Sequence, residues 1–171
     1  MTGNHGLGTG KIFNRRGVTL IELVITVTIL GILASVVLPL SQMSSKRSKE
    51  IELRRNLRII RTAIDDFNKR YEKSITEKKL PSVSNKSGYP VTLKELVEGF
   101  DFGEVNPPKR KFLRRIPIDP FNPPRAGEEP KWGLRSYSDK PDSTSWGGED
   151  VFDVYSLSEG IAIDGSRYKD W

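Results

Sequence analysis

The sequence has no cysteine and a single histidine, His5, which lies in a Gly-rich stretch. Without thiols there is no disulfide scaffold, no thiolate metal site and no cysteine nucleophile. With one histidine, a catalytic triad or a His-ligated zinc site lacks its parts. No phosphate-binding loop and no internal repeat occur. Charge of one sign does not dominate either. The formal net charge of +6 is moderate and the charges are mixed along the chain. The one dense basic cluster is Lys46, Arg47, Lys49, Arg54, Arg55, Arg58 and Arg61. It lacks interleaved aromatics, so it reads as a solvated helix face, and nucleic acid is disfavoured as a partner. A length of 171 residues suits one modest domain with appendages.

What the sequence does have is one long apolar run. Residues 18–40 carry a single charge, Glu22, and follow Arg15-Arg16-Gly17. At 1.5 Å per residue, about 20 apolar residues cross a bilayer core, so 18–40 is expected to span. A secretory signal fits poorly, because its apolar region is shorter and its small-residue cleavage site follows that region. Here Gly17 precedes the run. Basic residues flank both ends, so charge alone does not orient the span. Gly31 and Pro39 lie inside it; Pro39 is expected to kink or loosen the helix, or to mark the membrane exit.

Glu22 poses the sharper question. A carboxylate in mid-membrane costs roughly 2.5–3.5 kcal/mol, and less near a helix N-terminus. One reading has Glu22 snorkel to headgroups or cap the helix. The other has it wait for a cation. A cut after Gly17 would leave a free ammonium on Val18, and Glu22 of a neighbouring copy could pair with it.

Beyond residue 40 the chain turns polar but keeps a helical period. Leu53, Leu57, Ile60, Ile64, Phe67 and Tyr71 recur at steps of four and three, which places them on one helical stripe. One helix is therefore expected from residue 18 to 71 or 73, with a membrane half (18–40) and an amphipathic half (41–73). A short helix is expected after Thr92 as N-cap, with Gly99 as its stop. Pro117 and Pro120 forbid a central strand. Residues 132–138 and 150–157 alternate apolar with polar and read as two strands, with Pro141-Asp142-Ser143 in the turn region between. The fold class is α+β: a long N-terminal helix packed on a small, loop-rich domain with a short antiparallel sheet.

The acidic tail holds Glu159, Asp164 and Asp170 among glycines. By composition alone such acids are usually solvated. Calcium takes six to eight oxygens, so Glu159 and Asp164, with carbonyls of Leu157 and Ser158, form a candidate metal set, with Asp170 as an outer candidate. The same pair, Glu159 and Asp164, is the nearest approach to paired catalytic carboxylates in an anchored enzyme, a reading nothing else in the chain supports.

Gly17-Val18-Thr19-Leu20-Ile21-Glu22-Leu23 resembles the signal of type IV pilins and type II secretion pseudopilins. Gly31 and Pro39 also fall where that family has them. Leu113 to Phe121 is similar to a Leu-Pro-x-Asp-Pro-Trp-Gly segment of G-type major pseudopilins, with Ile116, Phe121 and Asn122 replacing Leu, Trp and Gly. Phe152-Asp153-Val154-Tyr155-Ser156-Leu157 matches that group's last strand. The resemblance implies a leader (1–17) cut by prepilin peptidase between Gly17 and Val18, N-methylation of Val18, and a periplasmic domain (74–171). Glu22, Gly31 and Pro39 would serve assembly. It also implies a single-pass inner-membrane protein with a cytoplasmic N-terminus, which polymerises with other pseudopilins on the secretion platform into a periplasmic fibre. Calcium would sit in the tail loop. The runner-up within the family is a type IV pilus subunit; pilins often close the tail with a disulfide, which this chain lacks.

Overall fold

The structure is a computed structural model. It describes residues 17–79, 87–103 and 109–171, without the side chains of 36–40. The chain forms two compact units, 1–42 and 43–171. The leader expected at 1–17 thus lies, up to residue 16, outside the described residues.

Helix α1 runs Leu20–Thr76 and passes through Gly31 and Pro39 as one element. Its start follows from Thr19, whose hydroxyl accepts the Glu22 N–H at 3.3 Å while the Leu23 N–H reaches the Thr19 carbonyl at 3.1 Å. Thr19-Leu20-Ile21-Glu22 has the spacing of a capping box, with the acid in the positive first turn. The hydroxyls within the apolar run are satisfied by the helix itself: Thr26 donates to the Leu23 carbonyl, Thr28 to Val24 and Ser35 to Ile32, at 2.7–2.9 Å. The helix ends at Thr76, slightly beyond the expected 71 or 73.

In the second unit the predicted stripe is the core. Leu53, Leu57, Ile60, Ile64, Phe67 and Tyr71 are all buried. Phe67 sits at the centre of an aromatic cluster, with ring centroids 5.3–5.5 Å from Phe100, Phe102 and Phe112 and 6.5 Å from Tyr71. Edge-on and tilted contacts of this kind add about 0.5–1.5 kcal/mol each beyond area burial.

Helix α2, Leu93–Glu98, buries Leu93 and Leu96 and stops at Gly99, as expected. Gly99 has φ +93°, and a Cβ there would crowd the Arg110 carbonyl at 3.2 Å. Thr92 occupies the N-cap position but makes no side-chain cap. The Glu95 carboxylate instead reaches back to the Val91 N–H at 3.1 Å.

The sheet is smaller than the alternation suggests. Strand β1, Gly133–Arg135, pairs antiparallel with β2, Asp153–Tyr155, in the register Gly133↔Tyr155, Leu134↔Val154, Arg135↔Asp153. The expected strands 132–138 and 150–157 are each cut to three residues. Asp139 takes the Ser136 N–H at 2.7 Å and turns the chain out of β1. At the other strand, the Val151 N–H is diverted to the Pro90 carbonyl at 2.7 Å. Gly133 is obligatory: a Cβ there would overlap the Tyr155 ring.

The Pro-rich segment 113–121 is pinned rather than paired. Asn56 on α1 donates to the Ile118 carbonyl at 2.8 Å, and the Trp132 indole donates to the Pro117 carbonyl at 2.9 Å. The buried Asp119 carboxylate accepts from the Phe121 N–H at 2.8 Å and the Ser156 hydroxyl at 2.6 Å. That bond ties the segment to the end of β2.

Candidate functional site: the N-terminal segment and the tail

Gly17, Val18 and Thr19 precede α1 and are non-helical and exposed. The bond between Gly17 and Val18 is therefore presented in open backbone. From Val18 to Leu33 the large apolar side chains on every side of the helix are exposed: Leu20 by 82%, Ile25 by 52%, Leu30 by 64%, Ile32 by 62%. A helix apolar all round finds its burial against lipid or other helices. Glu22 is exposed among them, and its carboxylate has no ion-pair or hydrogen-bond partner among the described residues. A Cβ on Gly31 would meet nothing within 4 Å. Glycine in a helix interior costs about 1 kcal/mol relative to alanine, and among the described residues no neighbouring group offsets that cost. Pro39 lies within α1, and its side chain is outside the described residues.

Among the described residues no helix is long and apolar enough to cross a membrane. The expected span 18–40 reaches into 36–40, whose side chains are not described. The helical part that is fully described, 20–35, rises only about 24 Å against a hydrocarbon core of about 30 Å.

The tail is held by side chains from α1. The buried Glu50 carboxylate accepts from the Ile163 N–H at 2.8 Å and the Tyr168 hydroxyl at 3.0 Å. Arg54 pairs with Asp164 at 3.1 Å and lies over the Trp171 ring at 4.1 Å. Arg61 bonds Asp153 at 2.7 Å, the Val154 carbonyl at 3.0 Å and the Trp171 carbonyl at 2.6 Å. Arg135 reaches the other Asp153 oxygen at 3.2 Å. The Tyr168 ring stacks on Phe121 at 4.1 Å. Burial, reinforced by Glu50, pushes the Tyr168 phenol up to about 12.

Of the candidate metal residues, Leu157, Glu159, Asp164 and Asp170 are exposed and Ser158 is half-buried. Asp164 is already engaged. One oxygen accepts from the Ser166 N–H and hydroxyl at 3.0 and 2.6 Å, and the other faces Arg54. These bonds, those to Ser166 first, hold its carboxyl below the usual range. Among the described residues no three carboxylate or imidazole groups gather into a metal-holding cluster. Protein groups already hold Asp164 and close the tail.

The basic cluster is thus not uniformly solvated, as its composition suggests. Arg54 and Arg61 are ties to the tail and to β2. Glu50, Arg61 and Asp153 are absent from the sequence-based site. Their only signal is position, since Glu50, Arg54 and Arg61 share one edge of the apolar stripe.

Residues 12–38 match a family model described as the prokaryotic N-terminal methylation motif. No curated protein and no solved structure matches the chain. The motif is a type IV pilin-like prepilin signal, and it supports a subunit processed by prepilin peptidase that polymerises with similar subunits. It marks a class of structural subunits rather than enzymes, anchored in a membrane with the globular part outside the cytoplasm.

Proposed function

We propose that this chain is a pseudopilin, a structural subunit cut after Gly17, methylated on Val18 and assembled into the periplasmic fibre of a type II secretion system. The observation that carries the reading is the all-round exposed apolar helix with one unpartnered carboxylate, Glu22, in its first turn. That helix directly follows an exposed Gly17–Val18 bond within the matched motif. Cleavage creates the ammonium that Glu22 lacks, and packing against neighbouring helices neutralises both charges while removing apolar surface from lipid. Gly31, with open space around it, gives another helix close approach. The cysteine-free tail supports secretion over a pilus subunit, and energy would come from a separate ATPase.

Mass spectrometry of the membrane-bound form tests this. The expected mature chain begins at Val18 with one added methyl group. Recovery from cells of chains that keep residues 1–17 overturns it. Glu22→Ala is expected to abolish correctly staggered fibres; normal fibres from that variant remove the charge-pair mechanism. Calcium in the tail is a separate proposal that requires Asp164 to leave Arg54. A calcium titration that leaves thermal unfolding unchanged removes it.

A further inference from the structure

The second unit carries two surfaces that complement one another but cannot meet within one copy. On one flank of α1, a cleft of about 470 Å³ lies between the helix and the pinned segment 113–118. Its rim carries Arg55, Arg114 and Arg115 against one acid, Glu52, and its apolar wall includes Ile59 and Ile118. All three arginines are exposed, and none has a carboxylate partner among the described residues. Ile118 is 46% exposed. On the other flank the tail loop projects Ile161, 58% exposed, and Ile163, 48% exposed, between Glu159 and Asp164. Glu159 has no partner among the described residues.

The helical period fixes the flanks. At about 100° per residue, Glu50, Arg54 and Arg61, which hold the tail, fall within about 40° of one another. Glu52, Asn56 and Ile59, which border the cleft, fall within about 60° of one another and nearly opposite them. The buried stripe of Leu53, Leu57, Ile60 and Ile64 lies between. An acid-flanked apolar knob thus sits on one side of the helix, and an arginine-rimmed apolar cleft on the other.

We infer that the tail loop of one copy docks in the arginine-rimmed cleft of the next, with Ile161 against Ile118 and Glu159 against Arg114 and Arg115. This rests on the polymer reading above and specifies its lateral contact. Such a contact is heterologous: each copy offers a knob to one neighbour and a cleft to the other, and repetition gives an open helical array. The complementary charges set orientation and suppress copy-to-copy pairing of like surfaces. The Arg54–Asp164 pair and the Glu50 bonds then act within one copy to hold the knob in shape.

The absence of native cysteine makes the test direct. In the full chain expressed in membranes, Ile118→Cys and Ile161→Cys are introduced singly and together. Oxidation is expected to give a dimer when the two single variants are co-expressed, and a ladder from the double variant. Arg115→Glu together with Arg114→Glu should abolish the ladder, and Glu159→Arg added to that background should restore it. Sheared fibres are collected in parallel. Fibres that form without a disulfide between positions 118 and 161 overturn this inference and leave the pseudopilin reading standing. Cross-links of Ile118→Cys chains to each other alone, or to other membrane proteins alone, also overturn it. No fibres from the unmodified chain overturn both.

Discussion

Leu30 and Leu57 are the same side chain on the same helix, yet one is 64% exposed and the other 3%. Around Leu57 the buried apolar residues occupy one stripe, and most of the rest of the circumference is charged. Around Leu30 they occupy every side. The stripe is buried by the chain's own segments 93–103, 109–121 and 132–171. The all-round surface has no such cover among the described residues, so its burial is left to lipid and to other helices. One helix therefore holds two uses of hydrophobicity: folding in the second unit and, on the proposed function, assembly in the first.

The comparison breaks most sharply at Phe67, which is 1% exposed and ringed by four aromatic side chains. Phe67→Ala is expected to cost about 3–5 kcal/mol in unfolding of the second unit, from lost transfer energy and a residual cavity. Denaturant titration in detergent, followed by tryptophan fluorescence, reads it. A cost below about 1 kcal/mol would mean that the stripe does not carry the fold.

Next in size is Asp153→Ala. It would leave Arg61 and the largely buried Arg135 facing each other without their shared carboxylate. Breaking a buried pair costs about 3–5 kcal/mol, and the partial exposure of Arg61 and Asp153 lowers the expectation to about 2 kcal/mol. Arg135→Met should be milder, because Arg61 would keep its partner. A larger loss for Arg135→Met than for Asp153→Ala would reverse that ranking.

The helix and its buried stripe were legible in the sequence because period is a local signal: steps of three and four mark Leu53 to Tyr71. The two strands were legible in place but not in length. Alternation continues past Arg135, while hydrogen bonding does not, because Asp139 captures the Ser136 N–H. The methylation motif over residues 12–38 was legible from a short dense stretch around Gly17 to Leu23. The tail was not. Glu50 and Arg61 act on residues about a hundred positions away, and charges on a helix read as solvated until a partner is known. The pair between Asp164 and Arg54 likewise leaves no trace in local spacing.

A pH scan sharpens the contrast from the tail side. Tyr168 keeps its proton in the folded chain up to about 12, chiefly through burial and then through Glu50. In the unfolded chain it loses that proton near pH 10. The unfolded state therefore binds fewer protons above pH 10, and stability falls as pH rises from about 10 towards 12. Tyr168→Phe should flatten that limb of the stability curve while lowering stability at neutral pH through loss of the bond to Glu50. An alkaline limb unchanged in Tyr168→Phe would place the titrating group elsewhere. Arg54→Ala should do less, since its pair with Asp164 is exposed on both sides, and exposed pairs contribute about 0.2–1 kcal/mol.

The smallest expected effect on folding is the most informative. Leu30→Ala removes the same atoms as Leu57→Ala, which should cost about 2–5 kcal/mol. Because Leu30 touches no core, its unfolding free energy in detergent should stay within about 0.5 kcal/mol of the parent chain. The change should appear instead in partition. Losing the branched end of leucine removes about three carbons from apolar contact, at roughly 0.8 kcal/mol each, so the substituted chain should leave membranes and sheared fibres more readily. A Leu30→Ala chain with a destabilised second unit would show that the exposed face of α1 is covered by the chain itself, and the distinction between folding and assembly surfaces would fall with it.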